Sequence, residues 1–168
     1  MHADVSIGTI NVESLRSIME LMDSDKRIRP LLFSIKKWAK ERNLNDAHAG
    51  KIKNFGWTVI GLVYFNCCKA EQQPLESSSL EQLLIGFFEF LLHFNWKEKR
   101  MNLRLGIVDK EPLKFDSETL VCVEDPSAPF VNMTFHVTPK TFPFLQKEWN
   151  RALHMLKQGT TLQSLFKS

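Results

Sequence analysis

Residues 55–68 are apolar on almost every side when they are plotted as a helix. A helix that is hydrophobic all round has to be buried, either inside a protein or in a bilayer. The most apolar part, 55–65, is too short to span a bilayer and is interrupted by Gly56 and Gly61. We therefore expect a helix that runs through the middle of a globular domain, and no membrane partner.

The composition fits one domain with a buried core. The chain has 168 residues, of which 43% are hydrophobic and 24% charged, as in ordinary soluble proteins. A net charge of +3 excludes a histone-like polycation. The three cysteines include the adjacent Cys67 and Cys68 and cannot form a disulfide framework, and no His/Cys spacing suggests zinc. Without a secretory signal, these features indicate a reducing compartment.

The apolar periodicity predicts a mostly helical chain with a few short strands. Helices are expected over 12–22, 25–42, 55–68, 79–94 and 143–157. Ser78 and Glu81 have the spacing of a capping box for the fourth helix, and Gly159 is expected to cap the last one. Strands are expected over 3–7, 101–105 and 120–123, the last ended by the acids and proline at 124–126.

The helix predicted over 25–42 has the clearest pattern. On a wheel of about 100° per residue, its apolar residues cluster within about 60° of Ile35 and are expected to face the core. Arg29, Lys36 and Lys40 lie together roughly 100–140° from Ile35. Two ammonium groups one turn apart can clamp a polyphosphate, because they repel each other unless an anion lies between them. Taken alone, they are explained more simply as a solvated basic face.

Asp4 is a candidate acid on the first predicted strand. No second carboxylate lies close to it in the sequence, so the chain offers no obvious pair for acid–base catalysis or for two metal ions. Taken alone, Asp4 is explained by a solvated strand end.

Two further positions could contact a nucleobase. Asn54 and Phe55 follow a glycine-containing loop at the start of a helix, where an aromatic ring could stack on a base. Glu124 and Asp125, followed by Asn132, place acids and an amide at a strand end, where they could read a base edge. Core packing and a simple turn are the structural alternatives.

Taken together, the motifs resemble the cytoplasmic-type poly(A) polymerases and terminal uridylyltransferases of the DNA polymerase β-like nucleotidyltransferase superfamily. The matching segments, which cover nearly the whole chain, are 3–7, 25–31, 35–40, 54–56, 79–90, 103–106 and 123–126 with Asn132. The resemblance implies an α+β, mostly α fold. Residues 11–168 would form the helical central domain with its PAP/25A-associated region, and 1–10 would be the last strand of a catalytic palm whose remainder is absent.

The resemblance implies part of an enzyme that adds AMP or UMP to RNA 3′ ends without a template. Members of the family use two Mg²⁺ (or Mn²⁺) ions held by three carboxylates. Asp4 matches the third of these and would be a catalytic metal ligand. The Gly-Ser loop and the Asp-x-Asp motif that supply the other two would lie upstream of Met1. We therefore expect no catalysis by this chain alone, as for a fragment, a truncated gene model or a degenerate homologue.

The resemblance also implies a nucleoside triphosphate site. Lys36 and Lys40 match the lysines that bind the triphosphate, and Phe55 matches the aromatic residue that stacks on the base. Asn54 would lie beside the triphosphate. Ser14 stands where the family often has an asparagine that contacts the sugar.

The base edge would face Glu124, Asp125, Val131 and Asn132. Uridine-preferring members carry a histidine where this chain has Val131. A valine side chain cannot donate or accept a hydrogen bond, which predicts no strong preference for UTP and favours adenylate addition or relaxed specificity.

Two other functions remain open. The chain could be a non-catalytic, polymerase-like scaffold in RNA processing, with a protein partner that covers its exposed N-terminal strand. It could also be a plain RNA-binding domain, which the small net charge disfavours. The expected partners are a nucleoside triphosphate and an RNA 3′ end. We expect an intracellular, cytoplasmic location, with nucleus and mitochondrion as alternatives.

Overall fold

The computed structural model describes residues 11–71, 78–110 and 119–167. Its helices are α1 (Val12–Asp23), α2 (Ile28–Glu41), α3 (Asn54–Ala70), α4 (Leu80–His93), α5 (Phe142–Lys157) and α6 (Leu162–Phe166), with a 3-10 turn at Ala47–Ala49. Its strands are β1 (Lys99–Asn102), β2 (Gly106–Asp109), β3 (Glu124–Asp125) and β4 (Ala128–Asn132). The predicted α+β, mostly α fold is confirmed. The strand expected over 3–7 lies outside the described residues, so the assignment of 1–10 to a palm stays a prediction.

The core forms where α2 packs on α3. The apolar stripe predicted for α2 is entirely buried, at 0 or 1% exposure: Ile28, Leu31, Leu32, Ile35, Trp38 and Ala39. The ring of Trp38 meets Trp57 on α3 edge-on at 5.4 Å and Phe88 on α4 at 4.8 Å between centroids. Burying a large apolar side chain stabilises a protein by roughly 1.5–3 kcal/mol. This stripe is therefore a main source of stability.

The helices α2 and α3 run antiparallel. Leu32 and Ile35 press against Gly61, where an added Cβ would lie 2.5 Å from Leu32 and 3.2 Å from Ile35. Further along α2, Trp38 contacts Trp57, which is nearer the start of α3. Later residues of α2 therefore contact earlier residues of α3. The second half of α2 consequently lies beside the first turns of α3.

The capping box of α4 begins at Ser79, one residue later than predicted. Ser79, not Ser78, is the N-cap: its Oγ accepts a hydrogen bond from the Gln82 backbone at 3.2 Å, and the Gln82 side chain accepts one from the Ser79 backbone at 2.8 Å. Ser79 has the extended backbone that an N-cap requires. Glu81 lies in the first turn, where its charge suits the helix dipole.

The predicted strand over 101–105 is wrong beyond Asn102. The Asn102 side chain accepts hydrogen bonds from the backbones of Arg104 and Leu105, both at 2.9 Å, and so closes a turn. The chain then returns as β2, antiparallel to β1. Leu105, expected on the same face as Met101, is 68% exposed, whereas Met101 is buried.

The predicted strand over 120–123 is displaced along the chain. Residues 121–123 are buried, but they make only an isolated parallel bridge, between Val123 and Met101, among the described residues. The strand is instead β3, the acidic pair expected to end it, and it pairs antiparallel with β4. Pro126 sits in the turn between them, where it needs no ladder donor.

The helix α5 packs on α4, and α6 packs on α2 and α5. Gly159 caps α5 as expected: it follows the C-cap residue Gln158, and its φ of 76° lets Gly159 and Thr160 donate to the carbonyls of Leu156 and Met155 in a Schellman motif. The helix α6, which the sequence pattern did not predict, buries Leu165 and Phe166. None of the helices in the described ranges has the length and apolar character needed to cross a bilayer.

Candidate nucleotide-binding site

A cleft of about 930 Å³ opens between α1, the β1–β2 turn and the β3–β4 hairpin. Three residues predicted to contact a nucleotide line it: Ser14, Glu124 and Asp125. The other predicted positions that the structure describes, Lys36, Lys40, Asn54, Phe55, Val131 and Asn132, do not line it. The sequence patterns missed two other prominent residues of its wall, Arg100 and Phe130.

Ser14 joins α1 to the β3–β4 hairpin. Its side chain is buried, and its hydroxyl donates to the carbonyl of Pro126 at 3.0 Å. Asn11 fixes the start of α1 by accepting a hydrogen bond from the Glu13 backbone at 3.1 Å. With its proton committed to Pro126, the Ser14 oxygen can act toward a ligand only as an acceptor.

Glu124 is held by a buried ion pair. Arg100 Nε donates to Glu124 Oε2 at 3.1 Å, and the Phe130 backbone donates to Glu124 Oε1, also at 3.1 Å. Burial by itself would raise the pKa of Glu124, but hydrogen bonds from Asn102, Phe130 and Arg100 outweigh it, so this pKa lies below its ordinary value. The carboxylate is therefore ionised and already engaged. Asp125 accepts only a local bond, from the Ser127 backbone at 2.8 Å, among the contacts found in the described part of the chain.

Asn132 organises the end of the hairpin. Its amide oxygen accepts from the backbones of Val123 and Thr134 and from the Thr134 hydroxyl, and its amide nitrogen donates to the Val121 carbonyl, at 2.8–3.1 Å. A base would have to compete with these bonds. The neighbouring Val131 is 49% exposed. The role of both residues at a base edge stays a prediction.

Phe130 is an exposed ring on a strained backbone. Its φ is 67°, and 67% of the residue is exposed at the rim of the cleft. A bulky residue at positive φ is an outlier that costs about 1–3 kcal/mol. Sequence periodicity could not have shown this, because it records neither a positive φ nor the hydrogen bond from the Phe130 backbone to the Glu124 side chain.

Asn54 and Phe55 form the first turn of α3. Asn54 is exposed and accepts a hydrogen bond from Asn45 at 3.2 Å, while Phe55 is half-buried. The N-cap, Lys53, makes no side-chain capping bond. The backbone N–H groups of an uncapped helix start favour an anion, and the helix dipole adds to that preference.

Basic residues lie near this helix start, among them Lys53 and His48. His136 lies beside it, and burial together with the charges of Lys53 and His48 lowers the pKa of His136. The antiparallel packing of α2 on α3 also brings the segment with Lys36 and Lys40 alongside. Lys36 is half-buried and Lys40 exposed, and neither forms an ion pair with any residue of the described ranges.

Thr134 connects the two halves of the candidate site. Its hydroxyl oxygen accepts a hydrogen bond from the Val123 backbone at 3.2 Å, which fixes it to the segment that leads into the hairpin. Its methyl group lies 3.7 Å from where a Cβ on Gly56 would stand, in the first turn of α3. The end of the hairpin therefore lies next to the helix start with Phe55. Asp4 lies outside the described residues.

The described residues do not supply a magnesium site. They contain no cluster of three or more His, Cys, Asp or Glu side chains that could hold a metal ion. Glu124, the buried acid of the cleft, is already neutralised by Arg100. The expectation of Mg²⁺ or Mn²⁺ therefore depends on carboxylates beyond this part of the chain.

Residues 32–166 match the Nrap protein PAP/OAS-like domain family. The chain belongs to this family. It is also 25% identical over 205 residues to the poly(A) RNA polymerase cid11 of Schizosaccharomyces pombe, a match that covers 99% of this chain and 42% of the relative. It is 23% identical over 193 residues to the poly(A) RNA polymerase GLD2 of Homo sapiens, covering 95% and 39%.

Solved structures confirm the fold. A crystal structure of the Cid1 poly(U) polymerase superposes with a TM-score of 0.76 at 23% identity, covering 92% of this chain and 60% of that one. The chain spans about two-fifths of the length of the curated relatives described above. The nucleotidyltransferase resemblance drawn from the sequence is thus confirmed at the level of family and fold.

Proposed function

We propose that this chain is the nucleotide-binding central domain of an RNA 3′-terminal nucleotidyltransferase. The observation that carries the proposal is the packing of α2 on α3, which brings the Lys36–Lys40 segment beside the helix start with Asn54 and Phe55. Thr134 lies beside this turn, so the β3–β4 hairpin adjoins the same site. The relatives are poly(A) and poly(U) polymerases, which supports the proposal.

In this proposal each group has a separate task. Lys36, Lys40 and the N–H groups at the start of α3 neutralise the triphosphate, with Asn54 beside it. The ring of Phe55 stacks on the base, a contact that tolerates any base because every base has a π-face. Ser14 accepts a hydrogen bond from the sugar.

The base edge faces Glu124, Asp125, Val131 and Asn132. Of these, Asp125 has the fewest bonds within the described residues and is the side chain best placed to accept from a base. Val131 offers no hydrogen bond, so the proposal includes adenylate addition or relaxed specificity instead of a strong preference for UTP.

Catalysis needs metal ions that this set of residues does not hold. A solved structure of the Cid1 poly(U) polymerase contains Mg²⁺ and 3′-dATP. Asp4 is proposed to contribute one carboxylate to such a centre, and it cannot bind two metal ions alone. The chain by itself is therefore proposed to bind nucleotide without transferring it. We place it inside the cell, in the cytoplasm, with nucleus and mitochondrion as alternatives.

Calorimetric titration of the chain with ATP and with UTP tests this function. The Lys36→Ala/Lys40→Ala variant should weaken ATP binding roughly 10- to 100-fold, as expected when charged hydrogen bonds are lost. The control Lys97→Ala/Lys147→Ala removes the same charge from the turn after α4 and from α5. Val131→His should improve binding of UTP relative to ATP. Equal ATP binding by the two double variants would overturn the proposal.

One observation favours a second function, that of an interaction module. The helix α1 exposes an apolar stripe at helical spacing: Val12 is 77%, Leu15 43% and Met19 50% exposed. Such a face suits a protein partner that also covers the adjoining N-terminal segment. A chain that binds no nucleotide, but captures a protein partner through this stripe, would favour the scaffold over the enzyme part.

A further inference from the structure

The outward face of α2 carries an aromatic ring among cations. Phe33 is 64% exposed. At about 100° per residue, four basic side chains of α2 fall within about 60° of it: Arg29, Lys36, Lys37 and Lys40. The core residue Ile35 lies about 160° away, so Phe33 takes no part in the buried stripe. We call Phe33 and these four residues the α2 face.

The α2 face is positive. Arg29 forms an exposed ion pair with Asp23 at 2.6 Å, and the ammonium of Lys37 lies 5.2 Å from the centre of the Phe166 ring. Both remain exposed to solvent. The acid of α2, Glu41, is about 80° from Phe33 and therefore lies at the border of the face. A ligand on this surface meets an excess of positive charge around one apolar ring.

We infer that the α2 face binds single-stranded RNA, with a base stacked on Phe33 and phosphates on Lys37 and Lys40. Charge complementarity selects this ligand, since an apolar protein surface would lose the hydration of several ammonium groups on docking. Aromatic rings within a basic groove are the usual platform for unpaired bases. Duplex RNA fits less well, because its bases are stacked on each other and cannot cover the ring.

The length of the α2 face suits a short stretch of RNA. Arg29 and Lys40 are about 16 Å apart along the helix at 1.5 Å per residue. Lys36 and Lys40 belong both to the α2 face and to the proposed triphosphate site. The RNA held by Phe33 therefore lies next to the nucleotide. The inference rests on the proposed function for this adjacency and names the residue that holds the RNA substrate.

Fluorescence anisotropy of a labelled oligoadenylate with the full chain tests the inference. Phe33→Leu keeps an apolar side chain and a good helix former but removes the ring. It should weaken RNA binding roughly 5- to 150-fold, whereas Phe33→Trp should match or exceed the unchanged chain. Phe144→Leu, which removes another exposed ring on α5, is the control and should have no effect. Circular dichroism confirms that each variant is folded.

The charge contribution has its own readout. Lys37→Ala should reduce the slope of log affinity against log salt by about 0.7, the value for one phosphate contact on a single strand. Lys37 has no part in the proposed triphosphate site, so ATP binding should remain unchanged in this variant and in Phe33→Leu.

The outcomes separate this inference from the proposed function. Loss of RNA binding in Phe33→Leu with normal ATP binding supports the inference. Unchanged RNA affinity in Phe33→Leu overturns it, even if the Lys36→Ala/Lys40→Ala variant loses ATP and the nucleotide site stands. Equal RNA losses in Phe33→Leu and Phe33→Trp also overturn it, because a tryptophan ring should stack on a base at least as well as phenylalanine.

Discussion

Arg100 and Glu124 pair across the wall of the cleft, with 3.1 Å between Nε and Oε2 and only 9% of each side chain exposed. Arg100 also donates to the Asp109 carbonyl at 2.7 Å. The pair connects β1 to β3, beside a hydrogen bond from Asn102 to Glu124 and a bridge between Met101 and Val123, which precedes β3. The ion pair thus helps to fix the hairpin that carries the predicted base-edge residues.

Glu124→Ala should lower the free energy of unfolding by about 3–5 kcal/mol, because it removes the carboxylate that neutralises the buried Arg100 charge. Urea denaturation measures the loss. Asp109→Asn is the matched control: it removes the exposed ion pair with Lys99 but keeps the backbone carbonyl, and it should cost less than about 1 kcal/mol. Equal losses in the two variants would contradict a structural role for the buried pair.

The stability of the domain should fall in acid. Hydrogen bonds from the Arg27 side chain hold the pKa of Asp25 well below its ordinary 3.8, and the pKa of Glu124 also lies below its ordinary 4.5. Both groups bind protons more readily in the unfolded chain, so unfolding takes up protons below these ordinary values. Their contribution is complete above about pH 5 and is lost as the pH falls toward the folded pKa values. Urea unfolding as a function of pH should show this slope, and Glu124→Ala should reduce it.

Gly86→Ala should destabilise the protein although alanine is the better helix former by about 1 kcal/mol. An added Cβ would collide with the hydroxyl of Tyr64, which is buried and donates to the Leu83 carbonyl at 2.9 Å. Thermal denaturation of a double-mutant cycle with Tyr64→Phe measures the collision. The alanine should cost less once the hydroxyl is absent, and additive effects would argue against the collision.

Phe130→Asn should stabilise the chain by about 1 kcal/mol. Asparagine tolerates positive φ better than phenylalanine, and the exposed ring loses little burial. Val131→Asn, at the next position and without a positive φ, is the control and should give no gain. Chemical denaturation compares them; a loss of stability in Phe130→Asn would mean that the ring makes contacts that outweigh the strain.

The helices were predictable because their information is local. The buried stripe of α2 and the apolar run of α3 follow from residue spacing alone, and both helices agree with prediction to within a few residues. The same holds for the Lys36–Lys40 pair, since residues one turn apart share a face in any helix. The family resemblance was also readable from the order of these motifs, and the match over 32–166 confirms it.

Short strands and helix caps were less predictable, because neighbouring residues had nearly the same local sequence signal for the cap or for the strand end. Ser78 and Ser79 both have an acid or amide three residues later, and the capping box forms at Ser79. The acids at 124–125 resemble a strand end, yet the ion pair with Arg100 makes the first of them part of a strand.

The sequence by itself determined the helical core and the residue types available for nucleotide chemistry. Which of these residues can still contact a ligand depends on the tertiary structure. The Ser14 hydroxyl donates to Pro126, Glu124 pairs with Arg100, and the Asn132 amide donates to Val121. The rings of Phe33 and Phe130 are exposed to solvent. The physical reason is that each of these partners lies far from the residue in sequence or depends on the packing of whole helices, which no local spacing records.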